Sequence, residues 1–432
     1  MGQTELYRKG LEELKAGRFA EARRHFDENE EQSGTAKETR ALLSEAARKL
    51  TAGDLEPAVE LLTRVLDRNP GLPDTYLGLA RVALRAGRFA DARTHAMAAV
   101  KVAPQNGLGW TLLGLADEAE GRTADALPNL EKGAQLGSRE YLCLYNYGRA
   151  LAASGQPGQA IPPLLQAVEL EPTNPSGLMA LGLTQRKLGQ LDEALDTIEA
   201  VTQVAPKDPD GWATLADLLF GRREYAEAKD VLERGLEAVG DHPALLEKAT
   251  AVAVALNDVK SAAALVEREL KVVPRHEEGW LNLANFSLLS GNEARAEEAA
   301  RELIRLNDKR WEPWQFLGDL YDARREEAKA EEAYREGLKR SPQQWKLLMN
   351  FGAALIQTTD AAKHAEGKQL LLKAREVAPN EPRVLYNLAL AHVRLGERAE
   401  AIAAAKAVQE RFPTAPIAAE AKKVELNLLA QS

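Results

Sequence analysis

A spacing of 34 residues runs through almost the whole chain and restricts it to an array of like units. Alanine recurs at that step at Ala58, Ala92, Ala126, Ala160, Ala194, Ala228, Ala262, Ala296 and Ala330. A second series of small residues keeps the same step through Ala46, Ala80, Gly114, Gly148, Gly182, Ala216, Thr250, Ala284, Gly318 and Gly352. Prolines fall in phase at Pro70, Pro104, Pro172, Pro206, Pro274 and Pro342, then at Pro379 and Pro413 after a short insertion. Trp110, Trp212, Trp280 and Trp314 share one phase as well. One alanine series could be chance; four series in one register are not. A fixed period of this size marks a repeat architecture, in which each unit covers its apolar face only with its neighbours.

Each slot has a physical task. Apolar residues inside each half of the period recur at spacings of three and four, as in LGLARVAL and EPAVELLTRVL, which is a helical pattern. Seven residues after the small position stands a glycine (Gly87, Gly121, Gly155, Gly189, Gly291), where a left-handed residue ends the first helix without a Cβ clash. The small residue and the alanine mark where two helices of a hairpin approach closely, since larger side chains would push the axes apart. The proline after the second helix stops it and begins the next unit.

At these residues the chain resembles the tetratricopeptide repeat. Trp110-Thr111-Leu112-Leu113-Gly114 and Trp280-Leu281-Asn282-Leu283-Ala284-Asn285 follow its first helix. Trp314, Leu317, Gly318, Tyr321, Ala330 and Pro342 follow one full repeat, with Arg325 in place of the turn glycine. The resemblance covers nearly the whole chain and implies an all-α fold, a right-handed α-solenoid of about twelve helix-turn-helix repeats plus a C-terminal capping helix. It looks like the bacterial type of such protein. The pentatricopeptide repeats that read RNA have a longer period and a basic groove, neither of which is present.

The phase divides residues 1–432 into one array. A first repeat and linker occupy 1–38, carried by Gly10, Gly17, Ala22 and Phe26. Ten repeats run in phase over 39–378, and a twelfth lies at 379–415. The last of the ten carries three extra residues in TTDAAKHA, read as a longer turn between its helices. Residues 416–432 read as an amphipathic helix that caps the last apolar face.

Composition excludes several function classes. The net charge of -9 opposes non-specific affinity for nucleic acid. Cys143 is the only cysteine, so no intrachain disulfide and no cysteine-based zinc site can form. It reads as a buried small hydrophobe ahead of a first helix. The six histidines are scattered over different repeats without metal spacing, and His392 reads as a packed core residue. No phosphate loop, serine elbow or dinucleotide fingerprint occurs. The expectation is a chain with no catalytic, cofactor or metal residues. No apolar run approaches the ~20 residues of a membrane span, and the N-terminus has no signal-peptide core. The reading is cytoplasmic, or periplasmic if a leader was removed, without direct membrane insertion and with self-association left open.

In the tetratricopeptide family the first helices line the concave face, and the resemblance carries that geometry here. The peptide-binding groove it implies includes Arg81, Tyr145, Asn146, Arg149, Met179, Leu183, Arg186, Asn282, Asn285, Asn350 and Asn387. Asn146, Asn282, Asn350 and Asn387 share the sixth repeat position, where the resemblance implies an asparagine that holds a peptide backbone, since one amide offers both donor and acceptor. The face reads as banded: basic and apolar, then acidic from Asp210 and Asp217 to Asp319 and Asp322, then basic again. The expected function is a protein–protein interaction scaffold or adaptor for partner peptide segments or domains. Alternatives are a component of a bacterial envelope machine, for pilus assembly, polysaccharide export or secretion, and the non-catalytic recruiting arm of an enzyme complex. The carboxylate clamp of some relatives needs basic residues and asparagine in three adjacent repeats. Only Arg149 with Asn146, and Arg81 farther off, approach it. Arg149 and Arg186 have an intramolecular alternative in pairing with Asp210 and Asp217.

Overall fold

The computed structural model describes residues 4–430, and among them every regular element is an α-helix. They fall into two compact units, divided between Leu218 and Leu219. The first holds α1 (Glu5–Lys15), α2 (Phe19–Ser33), α3 (Ala36–Ala52), α4 (Leu55–Arg68), α5 (Pro73–Arg85), α6 (Phe89–Val102), α7 (Gly107–Ala119) and α8 (Thr123–Leu136). It continues with α9 (Tyr141–Ala153), α10 (Pro157–Leu170), α11 (Pro175–Lys187), α12 (Leu191–Val204) and most of α13 (Pro209–Gly221). The second unit holds α14 (Tyr225–Val239), α15 (Pro243–Ala255), α16 (Val259–Val272), α17 (Glu277–Leu289), α18 (Glu293–Leu306) and α19 (Glu312–Ala323). Then follow α20 (Glu327–Arg340), α21 (Trp345–Gln357), α22 (Ala361–Val377), α23 (Pro382–Arg394), α24 (Arg398–Arg411) and α25 (Pro416–Ala430).

Within each unit a repeat is a hairpin of an odd-numbered first helix and an even-numbered second helix. The alanine series is buried without exception, from Ala58 to Ala330. The small series opposes a large residue 16 positions on. A Cβ on Gly114 would lie 2.7 Å from Leu130 Cγ, and one on Gly318 would lie 2.5 Å from a Tyr334 ring carbon. Both are closer than real contacts allow, so the glycine is what lets a Leu or Tyr lie across the first helix. The turn slot has positive φ in every case among the in-phase repeats that show it. Arg223 (64°), Asn257 (58°) and Arg325 (63°) adopt it where glycine is missing.

The tryptophan series also has a structural reason. Trp110, Trp212 and Trp280 each donate their indole N–H to the carbonyl of the proline six residues earlier, at 2.8 to 2.9 Å, and Tyr76 donates its hydroxyl to Pro70 likewise. The side chain thus latches the loop between repeats to the helix that follows. Trp314 departs from this because Asp308 stands in the proline slot. Arg340 Nε donates to the Asp308 carbonyl (2.7 Å) and its guanidinium covers the Trp314 ring at 4.8 Å. The Trp314 indole nitrogen is left buried without a hydrogen-bond partner.

Three expectations need correction. The extra residues of TTDAAKHA lengthen the second helix instead of the turn: α22 has 17 residues where α20 and α24 have 14. Asp360 caps α22 by accepting from the Ala362 N–H, and the buried His364 ring bonds the Thr358 carbonyl at 3.0 Å. These contacts begin the helix early, so the insertion is absorbed as one more turn. Cys143 lies inside α9 and not ahead of it; it is fully buried, and burial pushes its thiol pKa up. His392 is half-buried and shares its Nδ1 with Glu397 at 2.5 Å, a polar contact and not apolar packing. The C-terminal helix α25 packs on α24 and α23, buries Ala418 and Ala421, and leaves Leu426 and Leu429 exposed.

Candidate functional site

Successive first helices touch one another in the first unit, α3 to α5, α5 to α7, α7 to α9 and α9 to α11, so they form one continuous face. Second helices bury their alanine stripes against first helices and leave the outer side to charged residues. Side chains displayed along the first-helix face are therefore the ones that can meet a ligand over several repeats.

One groove of about 450 Å³ opens on this face between α9 and α11. Tyr145, Arg149, Met179, Leu183 and Arg186 line it, together with Ser176 and Lys187. Helical spacing brings them together: Tyr145 and Arg149 are one turn apart on α9, as are Met179 and Leu183 on α11. Tyr145 is held by stacking on Tyr141, with ring centroids 5.4 Å apart and planes within 10°. Burial raises the Tyr141 hydroxyl pKa, and that hydroxyl lies buried without a hydrogen-bond partner. The stack gives the groove a rigid aromatic wall, because Tyr145 cannot turn without disturbing Tyr141.

The charges in the groove are not equivalent. Arg149 forms a two-pronged bond to Glu118 of the preceding repeat, at 3.2 and 2.5 Å, and not to Asp210 or Asp217. Arg186 is exposed, and among the described residues no carboxylate lies within ion-pair distance of it. Lys187 reaches the Ala152 carbonyl at 3.4 Å, near the C-terminus of α9, where a cation is favoured by the helix dipole. Arg85 makes the same contact three repeats earlier, to the Leu50 carbonyl. The groove thus pairs an apolar and aromatic floor with one unpaired guanidinium at its edge.

The other expected residues are distributed differently. Asn146 is buried and spends its Nδ2 on the Leu142 carbonyl of its own helix at 2.7 Å, outside the groove lining. Arg81 lines a second groove, of about 330 Å³, with Leu43, Leu77 and Leu108. In the second unit Asn282 is exposed, Asn285 bonds the Leu281 carbonyl (2.9 Å), and Asn387 is half-buried. Asn350 donates to both oxygens of Asp319 at 3.0 and 3.1 Å. Asp319 also accepts from Tyr334 at 2.7 Å and from Gln315. Burial raises its pKa against the effect of those bonds. Sequence reasoning did not find Glu118. It lies 31 positions before Arg149, three short of a full period, and that spacing was the available signal. Among the described residues no group of His, Cys, Asp and Glu side chains is placed to hold a metal ion, and no helix is long and apolar enough to cross a membrane.

Helix hairpins whose first helices touch in succession, as in the first unit, define an α-solenoid. Tetratricopeptide repeat models match residues 49–116, 151–218 and 185–252, then 111–175, 252–310 and 359–416, and finally 312–344. The chain belongs to the tetratricopeptide repeat family, whose members are protein–protein interaction scaffolds. No curated protein matches it in sequence. Among solved structures it is similar to yeast Tom70, at 13% identity over 92% of this chain and 96% of that one, with a TM-score of 0.40. A thermophilic TPR protein of Thermus thermophilus is 26% identical over 42% of this chain and 99% of its own, with a TM-score of 0.37. Pseudomonas aeruginosa pilF is 22% identical over 50% and 96%, with a TM-score of 0.41. These likenesses concern the repeat fold alone.

Proposed function

We propose that this protein is an adaptor that holds a segment of a partner protein along the first-helix face of residues 141–187. The observation that carries the reading is the groove in which Tyr145, Arg149, Met179, Leu183 and Arg186 converge. Tyr and Arg dominate binding hot spots because one side chain supplies area, a polar handle or a fork of donors at small entropic cost. Met179 and Leu183 take an apolar side chain of the segment. Arg186, unpaired at the edge, takes a carboxylate. Arg149 serves mainly to tie α9 to α7 through Glu118.

Arg186→Glu separates this from a purely structural role, since the residue is exposed and the fold does not use it. Capture of the native partner, identified by co-purification and mass spectrometry, should weaken by about 2 kcal/mol or more, the hot-spot threshold, at unchanged melting temperature. Arg149→Glu, by placing two carboxylates together, should lower stability as well. Full capture by Arg186→Glu would remove the groove from the account.

A further inference from the structure

A second cavity lies within the other unit. It has a volume of about 400 Å³ and sits between two second helices, α14 and α16, with α15 as its floor. Its origin is legible in the repeat register. The residue before the small position is Glu45 in the first in-phase repeat and Leu79, Leu113, Tyr147, Leu181, Leu215, Leu283, Leu317 and Phe351 in later ones, and the leucines and Phe351 are buried. In this repeat it is Ala249, with Ala253 one turn on. At this place lies the opening, floored by Ala249, Ala253 and Leu256, the last 40% exposed. An apolar hollow open to water is unfavourable unless something fills it.

The rim says what kind of group that is. Arg268 is bound to Asp241 through two contacts at 2.6 and 3.1 Å, and Asp258 is committed to the Ser261 N–H, which caps α16. Lys229 and Glu233 face each other loosely at 3.9 Å. Glu237, exposed on the α14 wall, has no ion pair or hydrogen bond among the described residues. The cavity therefore offers an aliphatic hole beside one unneutralised carboxylate.

We propose that this cleft is a second docking site, for a partner-protein segment that inserts one leucine- or methionine-sized side chain into the hole left by Ala249 and sets a lysine or arginine against Glu237. The inserted side chain completes the core that the repeat lacks, and the cation neutralises the rim. No residue that lines the groove of α9 and α11 lines this cleft, so each can hold its own segment.

The test uses the full chain and a fluorescein-labelled helical peptide of alanine and lysine with a single central leucine, followed by fluorescence anisotropy. Ala249→Leu restores the side chain of the neighbouring repeats and should weaken peptide binding about tenfold or more, with a melting temperature unchanged or raised. Glu237→Lys should weaken it severalfold and flatten its salt dependence. Replacing the peptide's leucine by alanine should match the effect of Ala249→Leu. Equal binding by Ala249→Leu and the unaltered chain, or no saturable binding by the latter, would overturn the proposal.

Discussion

Replacing Arg325 by glycine should make the protein more stable. Arg325 occupies the turn slot between α19 and α20 with φ of 63°, a slot that holds glycine in most repeats and, at Asn257, a residue that tolerates the conformation. A side chain in this region costs ~1–2 kcal/mol relative to glycine. Glycine in turn loses ~0.4–1 kcal/mol more backbone entropy on folding. The difference leaves roughly 0.5–1 kcal/mol in favour of Arg325→Gly. Little offsets it, because the Arg325 side chain is exposed and only approaches Asp322 electrostatically. Gly121→Ala should lose a similar amount, since its φ is 76° and nothing surrounds the position to compensate. Hydrogen exchange reads the change locally, which suits an array that need not unfold in one step. Amides at the start of α20 should slow by about fivefold at most, and those at the start of α8 should speed up by as much in Gly121→Ala. Faster exchange in Arg325→Gly would show that the turn is governed by the side chain and not by the backbone.

Trp280→Phe should lower stability by about 1 kcal/mol through loss of its bond to Pro274, whereas Trp314→Phe should be neutral or stabilising because it removes a buried N–H with no acceptor; urea denaturation of the two variants checks the contrast. Hydrogen exchange should show α15 and α16, which lack the leucine of the Ala249 slot, opening before α7 and α8; equal protection would refute the link between that slot and local stability. Bonds from Lys363 and Arg335 hold the Glu331 pKa below its ordinary 4.5, so their contribution is present above pH 4.5 and is lost as pH falls through the lower folded-state value. Glu331→Gln should remove that part of the acid dependence, read as exchange at α22 across an acid titration.

The period made the helices, turns and close approaches readable because each depends on backbone sterics that a local sequence expresses. The Gly114 and Gly318 slots show this, since no other residue allows Leu130 or Tyr334 to lie so close. At TTDAAKHA the sequence does not separate a longer turn from a longer helix, because both use the same residues; the cap that Asp360 places on α22 decides it. The first-helix register brings Tyr145, Arg149, Met179, Leu183 and Arg186 into one groove, because residues one turn apart share a helix face. That register does not show that the Asn146 amide satisfies a carbonyl within its own helix, nor that Glu118 partners Arg149, which depends on how one repeat sits on the next. The cleft at Ala249 could be read as a weak point in the sequence but not as an open surface. Whether neighbours collapse into a missing side chain is a packing outcome.

The proposed adaptor role puts the partner segment on the face of α9 and α11. A photoreactive benzoylphenylalanine introduced in turn at Met179, Tyr145 and the exposed Glu199 of α12 measures this directly, with irradiation in cell extract and mass spectrometry of the adducts. The Met179 and Tyr145 positions should give an adduct with the same partner segment, and Glu199 should not. Adducts from Glu199 alone, or equal yields from all three positions, would contradict it.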